Sequence, residues 1–171
     1  ELGLLDRFGQ VAPEILVCAD GYQNIRKSYN TLDRAERIAG QIPSIKRVVV
    51  CPYICQSSED LVLPKNPLFV ALEDYAASES VDIQFYRAPF EHPLFILYSS
   101  GTTGKPKCIV HCAGGTLLEH QKEHLLQTDL GADDVFFYYT TCGWMMWNWL
   151  VSGLACGASV ILYDGSPFVP R

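Results

Sequence analysis

Positive charge is scarce in this chain. Its 171 residues hold 13 Lys and Arg against 19 Asp and Glu, a formal net charge of −6. A field of that sign repels nucleic acid and anionic membrane, so neither is expected as a partner. Any phosphate must therefore be held by a local feature. The chain also lacks internal repeats of solenoid period and any N-x-[ST] glycosylation acceptor. No secretory signal is in view, and the seven cysteines (18, 51, 55, 108, 112, 142 and 156) are odd in number. Several lie in apolar runs, where free thiols pack as small hydrophobes, which favours a reducing cytosol. Neither Cys51/Cys55 nor Cys108/Cys112 has the matched short-spaced second pair that structural zinc wants, so no metal is expected.

Charge of either sign is missing from Val135 to Tyr163, a run of 29 residues long enough to cross a bilayer. Gly143, Gly153 and Gly157 interrupt it, Thr140, Thr141, Asn148 and Ser159 are polar, and Asp133, Asp134 and Asp164 flank it where Lys or Arg would be expected. A soluble core is the better reading. With 49% hydrophobic and 19% charged residues, the chain is long enough for a globular domain with a sizeable core. It opens without Met at ELGLLDRFGQ and stops at SPFVPR with no closing element. An internal fragment of a longer domain is expected.

The patterning alternates between strands and helices. Leu2, Leu5 and Phe8 recur at helical spacing up to Pro13, and Glu14 to Ala19 reads as a buried strand with Gly21 and Asn24 in its exit turn. Asn30 or Thr31 can cap a helix with Leu32, Ala35, Ile38, Ala39 and Ile42 on one face. Lys46 to Cys51 is a second buried strand, so a βαβ unit with a parallel pair is expected over residues 1–80. A loop to Pro67 and a short helix near Leu68 to Ala77 follow. Further on, strands are expected at Cys108 to Cys112, Val135 to Tyr139 and Ser159 to Tyr163. A helix from Gly114 to Thr128 should turn Leu117, Leu118, Leu125 and Leu126 inward, and a tryptophan-rich helix should run from about Met145 to Ala155. The fold class is layered α/β.

Tyr98 to Lys107 reads YSSGTTGKPK and follows the apolar run Leu94 to Leu97. Ser99, Ser100, Thr102 and Thr103 supply hydroxyls, Gly101 and Gly104 allow close backbone approach, and Lys105 and Lys107 add positive charge. Such a turn can converge N–H groups on an anion. It is not the usual nucleotide P-loop, because two residues, not four, separate its glycines and Pro106 follows the lysine. His120-Gln-Lys-Glu123-His124 matches the H-x-x-E-H string of a metalloprotease class, but no third ligand has an obvious setting. A solvated polar face with Glu119 and Lys122 explains these residues as well. His111, at the end of its strand, is open between a core histidine and a site residue.

YSSGTTGKPK resembles the phosphate-binding signature of the acyl-adenylate-forming (AMP-binding) superfamily. FEHPLFILYSS (Phe90 to Ser100), HCAGGTLLEHQKEHLL (His111 to Leu126) and TTCGWMMWNWLVSGLACGASVILYDGSP (Thr140 to Pro167) resemble its acetoacetyl-CoA synthetase branch in particular. The resemblance implies part of the large N-terminal adenylation domain, incomplete, with βαβ units in mixed or parallel sheets. Residues 81–171 would carry the phosphate loop and the tryptophan-rich helix. It implies a ligase that converts acetoacetate, ATP and coenzyme A to acetoacetyl-CoA through an acyl-adenylate, with Mg²⁺. Ser99, Ser100, Gly101, Thr102, Thr103, Gly104, Lys105 and Lys107 would hold the β/γ-phosphates. Gly143, Trp144 and Met146 would border the acyl and pantetheine region, Met146 standing where acetyl-CoA synthetases have a small hydroxyl residue. The adenylation lysine belongs to a later region of the family, so this piece alone is expected to be inactive. Acetate or propionate as substrate, and a non-catalytic nucleotide-binding paralogue, remain open alternatives.

Overall fold

Leu32, Ala35, Ile38, Ala39 and Ile42 recur at helical spacing; the first four are buried along one face of a helix over Leu32–Gln41, and Ile42, its C-cap residue, is buried just beyond it. This helix belongs to the first of two compact units in the computed structural model, which describes residues 2–24, 27–76, 82–99 and 104–165. One unit is Glu1–Gln84 with Gly165–Arg171, and the other is Phe85–Asp164.

The first unit runs α1 (Leu2–Val11), β1 (Ile15–Ala19), β2 (Gly21–Asn24), β3 (Lys27–Asn30), α2 (Leu32–Gln41), β4 (Arg47–Cys51), β5 (Phe69–Ala71) and α3 (Leu72–Tyr75). β1, β4 and β5 form a parallel sheet in the order β1-β4-β5. Of the two candidate caps, Asn30 does the capping: its Oδ1 accepts the Leu32 N–H at 2.8 Å. Thr31 instead donates its hydroxyl to the Ala19 carbonyl at 2.6 Å, tying the helix start to the end of β1. Val48 and Val50 of β4 join the α2 face in one core, with Leu5 and Phe8 of α1 packed against it. Burying Leu32, Ile38 or Ile42 contributes about 1.5–3 kcal/mol each. Val49, on the other face of β4, is buried too, as befits the central strand of a parallel sheet.

Three expectations change. β1 is buried on one face only: Leu16 and Cys18 meet the core, whereas Val17 on the opposite face is 62% exposed. Among the described residues it is an edge strand, flanked by β4. The exit turn at Gly21 and Asn24 is itself a strand, paired antiparallel with β3 and fastened by Tyr22 stacked on Tyr29 with ring centroids 5.0 Å apart. The helix expected from Leu68 begins as β5, because β4 still has donors to satisfy along that edge. The Val48 N–H reaches the Leu68 carbonyl at 2.8 Å and draws the segment into the sheet, leaving a four-residue helix.

Asp20, 3% exposed, closes the end of β1. Its carboxylate accepts the N–H groups of Tyr53, Ile54 and Cys55 at 2.8, 2.9 and 2.9 Å, holding the segment after β4 against the end of β1. Next to it, a Cβ on Gly21 would lie 2.4 Å from the Tyr29 carbonyl oxygen and 2.5 Å from Ile54 Cδ1. Gly40, inside α2, has nothing within 4 Å of that position. Gly21→Ala is therefore expected to destabilise by about 1–3 kcal/mol through overpacking. Gly40→Ala should stabilise by about 0.5–1 kcal/mol through helix propensity. Urea unfolding of the two variants checks the opposite signs.

The second unit runs β6 (Pro93–Tyr98), β7 (Cys108–Cys112), α4 (Ala113–Lys122) with a π-helical turn over Glu123–Gln127, β8 (Val135–Phe136), α5 (Met145–Ser152) with a 3₁₀ turn over Gly153–Cys156, and β9 (Ser159–Val160). β6 and β7 are an antiparallel hairpin, and β8 pairs parallel with β9 across α5, both shorter than expected. Leu130, Phe136, Leu150 and Ala158 form the core, with Trp147 and Trp149 against it. The expected inward leucines face outward instead: Leu117, Leu118, Leu125 and Leu126 are exposed, and Thr116 and His124 are buried. The rotation of α4 is set at its start. The Ala113 and Gly114 N–H groups donate to the His92 and Phe90 carbonyls at 2.7 and 2.9 Å, and the Phe90 ring packs where a Cβ of Gly114 would be. Taken together, the chain is mixed α/β with parallel strands. Among the described residues, no helix is long and apolar enough to cross a membrane.

Candidate active site

The glycine- and hydroxyl-rich segment is the connection from β6 to β7. Past the last register pair, Tyr98 with Cys108, the Ser99 N–H donates to the Lys107 carbonyl at 3.0 Å. The Lys107 N–H in turn donates to the Ser99 hydroxyl oxygen at 3.1 Å. Ser99 and Lys107 thus form a closed neck. Gly104 has φ +155° with open space around its Cβ position, so conformational freedom, not crowding, asks for glycine there. Lys105 and Lys107 are exposed. Ser100, Gly101, Thr102 and Thr103 lie outside the described residues.

A cavity of ≈ 730 Å³ opens in the same unit. The hairpin supplies one wall: Leu97 pairs with Ile109 and Phe95 with His111, so strand alternation puts all four on one face. Thr116, Glu119 and His120 come from α4, Glu123 from the π turn, and Met145, Met146, Asn148 and Trp149 from α5. The hairpin wall is apolar apart from His111. The α4 side carries the polar groups, the mix that small-molecule sites favour. Leu97 and Ile109 are each two residues from the neck, so the loop and the cavity share one scaffold.

Of the residues expected at the acyl side, Met146 lines this cavity. Trp144, at the N-cap position of α5, is 69% exposed, and Gly143 is exposed as well; neither is among the cavity's lining residues. His111, left open between core and site, is half-buried on the cavity wall.

The solvated face expected around His120 and His124 is found for Glu119 and Lys122, which pair on the surface, but not for the two histidines. His124 is fully buried, 0% exposed, and His120 is half-buried with its Nδ1 atom enclosed and unpartnered. Burial, and then the neighbouring His124, push His120 below the ordinary imidazole range. The i, i+4 spacing placed both rings on one face correctly. The error lay in which face, since four leucines on α4 outvoted two histidines in any hydrophobicity count. Among the described residues, no group of three or more His, Cys, Asp or Glu is arranged to hold a metal ion.

A family model described as "AMP-binding enzyme" matches residues 10–171. Acetoacetyl-CoA synthetase of Gallus gallus is 49% identical over 98% of this chain and 26% of its own length. A malonamoyl-CoA synthetase of Penicillium aethiopicum is 44% identical over 98% of the chain and 24% of its own. Among solved structures, acetoacetyl-CoA synthetase from Streptomyces lividans superposes with a TM-score of 0.87 at 41% identity, over 99% of this chain and 25% of that one. The chain thus spans about a quarter of the length of the curated relatives it matches. With a family model matched almost end to end and the fold of a solved relative reproduced, the chain belongs to the AMP-binding enzymes.

Proposed function

We propose that the protein is an AMP-forming acid-thiol ligase that activates acetoacetate with ATP and passes the acyl group to coenzyme A. The observation that carries this reading is the pairing of a necked, lysine-bearing hairpin tip with an adjoining cavity on the same two strands. Attack of a carboxylate oxygen on the α-phosphorus forms the acyl-adenylate and releases pyrophosphate, so charge grows on the departing β/γ oxygens. On this reading the Ser99 hydroxyl, the N–H groups and hydroxyls of residues 100–104 and Lys105 meet that charge, with Lys107 acting as anchor or second cation. ATP is taken as its Mg²⁺ complex, and the metal supplies further neutralisation. Gly143, Trp144 and Met146 border the acyl and pantetheine path. The seven cysteines are free thiols, and a cytosolic ligase is the reading they fit.

The acyl names of the two curated relatives, acetoacetyl and malonamoyl, share a carbonyl at the third carbon of a short acid. Short 3-oxo acids are accordingly the substrate class. Acid-dependent exchange of labelled pyrophosphate into ATP by the full-length protein tests this, over acetate, propionate, butyrate and acetoacetate. Preference for acetoacetate supports the reading. Preference for acetate or propionate replaces the substrate, and exchange with none of them overturns the activity.

A further inference from the structure

α5 ends irregularly, and side chains supply hydrogen bonds to the Trp149 carbonyl in its last turn. At Gly153 the helix tightens from α to 3₁₀, and the Gly153 N–H turns to the Leu150 carbonyl instead of the Trp149 carbonyl. Two side chains take over at Trp149: the Ser152 hydroxyl donates to its carbonyl at 2.7 Å, and His124 Nε2 lies 2.9 Å from the same oxygen. A carbonyl only accepts, so Nε2 carries the hydrogen. The Ser152 oxygen, 2.9 Å from Nε2, shares that donor.

His124 reaches this position because α4 ends in a π turn, Glu123–Gln127. That turn leaves Leu125 and Leu126 exposed and sends the imidazole into the core. There the ring stacks on the Trp149 indole, centroids 4.8 Å apart and planes 28° apart, with Phe136 edge-on at 5.4 Å. Trp149 lines the cavity, and Met145 lines it one turn earlier on the same helix. A single side chain therefore holds both the backbone and the ring of one cavity residue.

We propose that His124 is a positioning residue for acyl selectivity: by fixing Trp149, it sets the depth of the cavity and so the length of acid accepted. This rests on the ligase reading above. His124 touches no reacting atom. Its influence passes through Trp149 to the acid, and not to the triphosphate bound at the hairpin tip.

The test uses the full-length protein and pyrophosphate exchange with acetate, acetoacetate, butyrate and hexanoate. His124→Phe keeps the aromatic stack but removes the donor, and Ser152→Ala weakens the same carbonyl cluster with less change in packing. The expected result for His124→Phe is an acetoacetate KM raised about tenfold, as for a misfit of roughly one methylene. The preferred chain length should shift, the KM for ATP should stay unchanged, and Ser152→Ala should move the same way by less. Unchanged acid KM and chain-length order in folded variants overturn the proposal. So does a loss of kcat with equal effects on acid and ATP. Should His124→Phe not fold, Trp149→Phe reads the same wall directly, and an unaltered chain-length order there is equally fatal. Wild-type protein inactive on every acid would sink the ligase reading itself, a different result from an active enzyme with an indifferent His124.

Discussion

Lys105→Ala in the full-length protein is expected to slow adenylate formation on the order of 100-fold, the scale of removing one preorganised charge from a developing anion. Folding should hardly change, because Lys105 is exposed at the hairpin tip and exposed substitutions usually stay within about 0.5 kcal/mol. Lys107→Ala is the natural comparison. The neck uses the backbone N–H and carbonyl of Lys107, not its ammonium, so this variant keeps both neck hydrogen bonds while removing a charge. Ser99→Ala does the reverse, deleting the acceptor of the Lys107 N–H and leaving both lysines in place. Pyrophosphate exchange and thermal melts on the three variants separate charge from scaffold. Full exchange activity in Lys105→Ala would remove that lysine from the phosphate site.

Asp20→Asn should cost about 2–3 kcal/mol of stability and Asp20→Ala about 3–5 kcal/mol, the range for breaking hydrogen bonds to a buried charge. Asparagine can still accept the Tyr53 and Ile54 N–H groups through one oxygen, but its amide nitrogen then meets the Cys55 N–H donor to donor. Alanine strands all three. Burial raises the Asp20 pKa, but the Cys55 thiol and the three N–H groups outweigh it and hold the carboxyl below the usual carboxylate range. The sign follows from that lowered value. The wild-type advantage is fully present above the unfolded carboxylate pKa of about 3.9 and fades as pH falls through the lower folded value. Urea titrations at pH 7 and pH 3 should show the gap between wild type and Asp20→Asn shrinking in acid. An equal gap at both pH values would mean that the carboxylate's charge contributes nothing.

The parts of the fold that could be read in the sequence are those where one physical signal acts alone. α2 has one apolar stripe, and β4 is an uninterrupted run of valines buried on both faces, so each announced itself. β2 and β3 did not, since GYQN and KSYN are polar, and their pairing depends on a tyrosine stack that becomes visible only once the register is known. β5 is three residues whose state is decided by unsatisfied groups on β4. α4 carries apolar residues on more than one side, and contacts from Phe90 and His92, more than twenty residues upstream of the π turn, decide which side is buried. The candidate site divides in the same way. Its loop could be recognised from a contiguous motif. His124 is visible in the sequence as half of an i, i+4 pair, but its burial is not, because the backbone carbonyl it meets lies 25 residues away. Asp20, in the other unit, is likewise distinguished only by the distant backbone groups that it meets.

The hydrogen bonds between Ser99 and Lys107 hold the two ends of the β6–β7 connection together. Bringing the two ends of a loop together lowers chain entropy by an amount that grows with the logarithm of its length, and here that loss occurs when the hairpin folds. On the proposed reading, an incoming triphosphate would not have to gather those ends again, and more of its contact free energy would remain as affinity or for distortion toward the transition state.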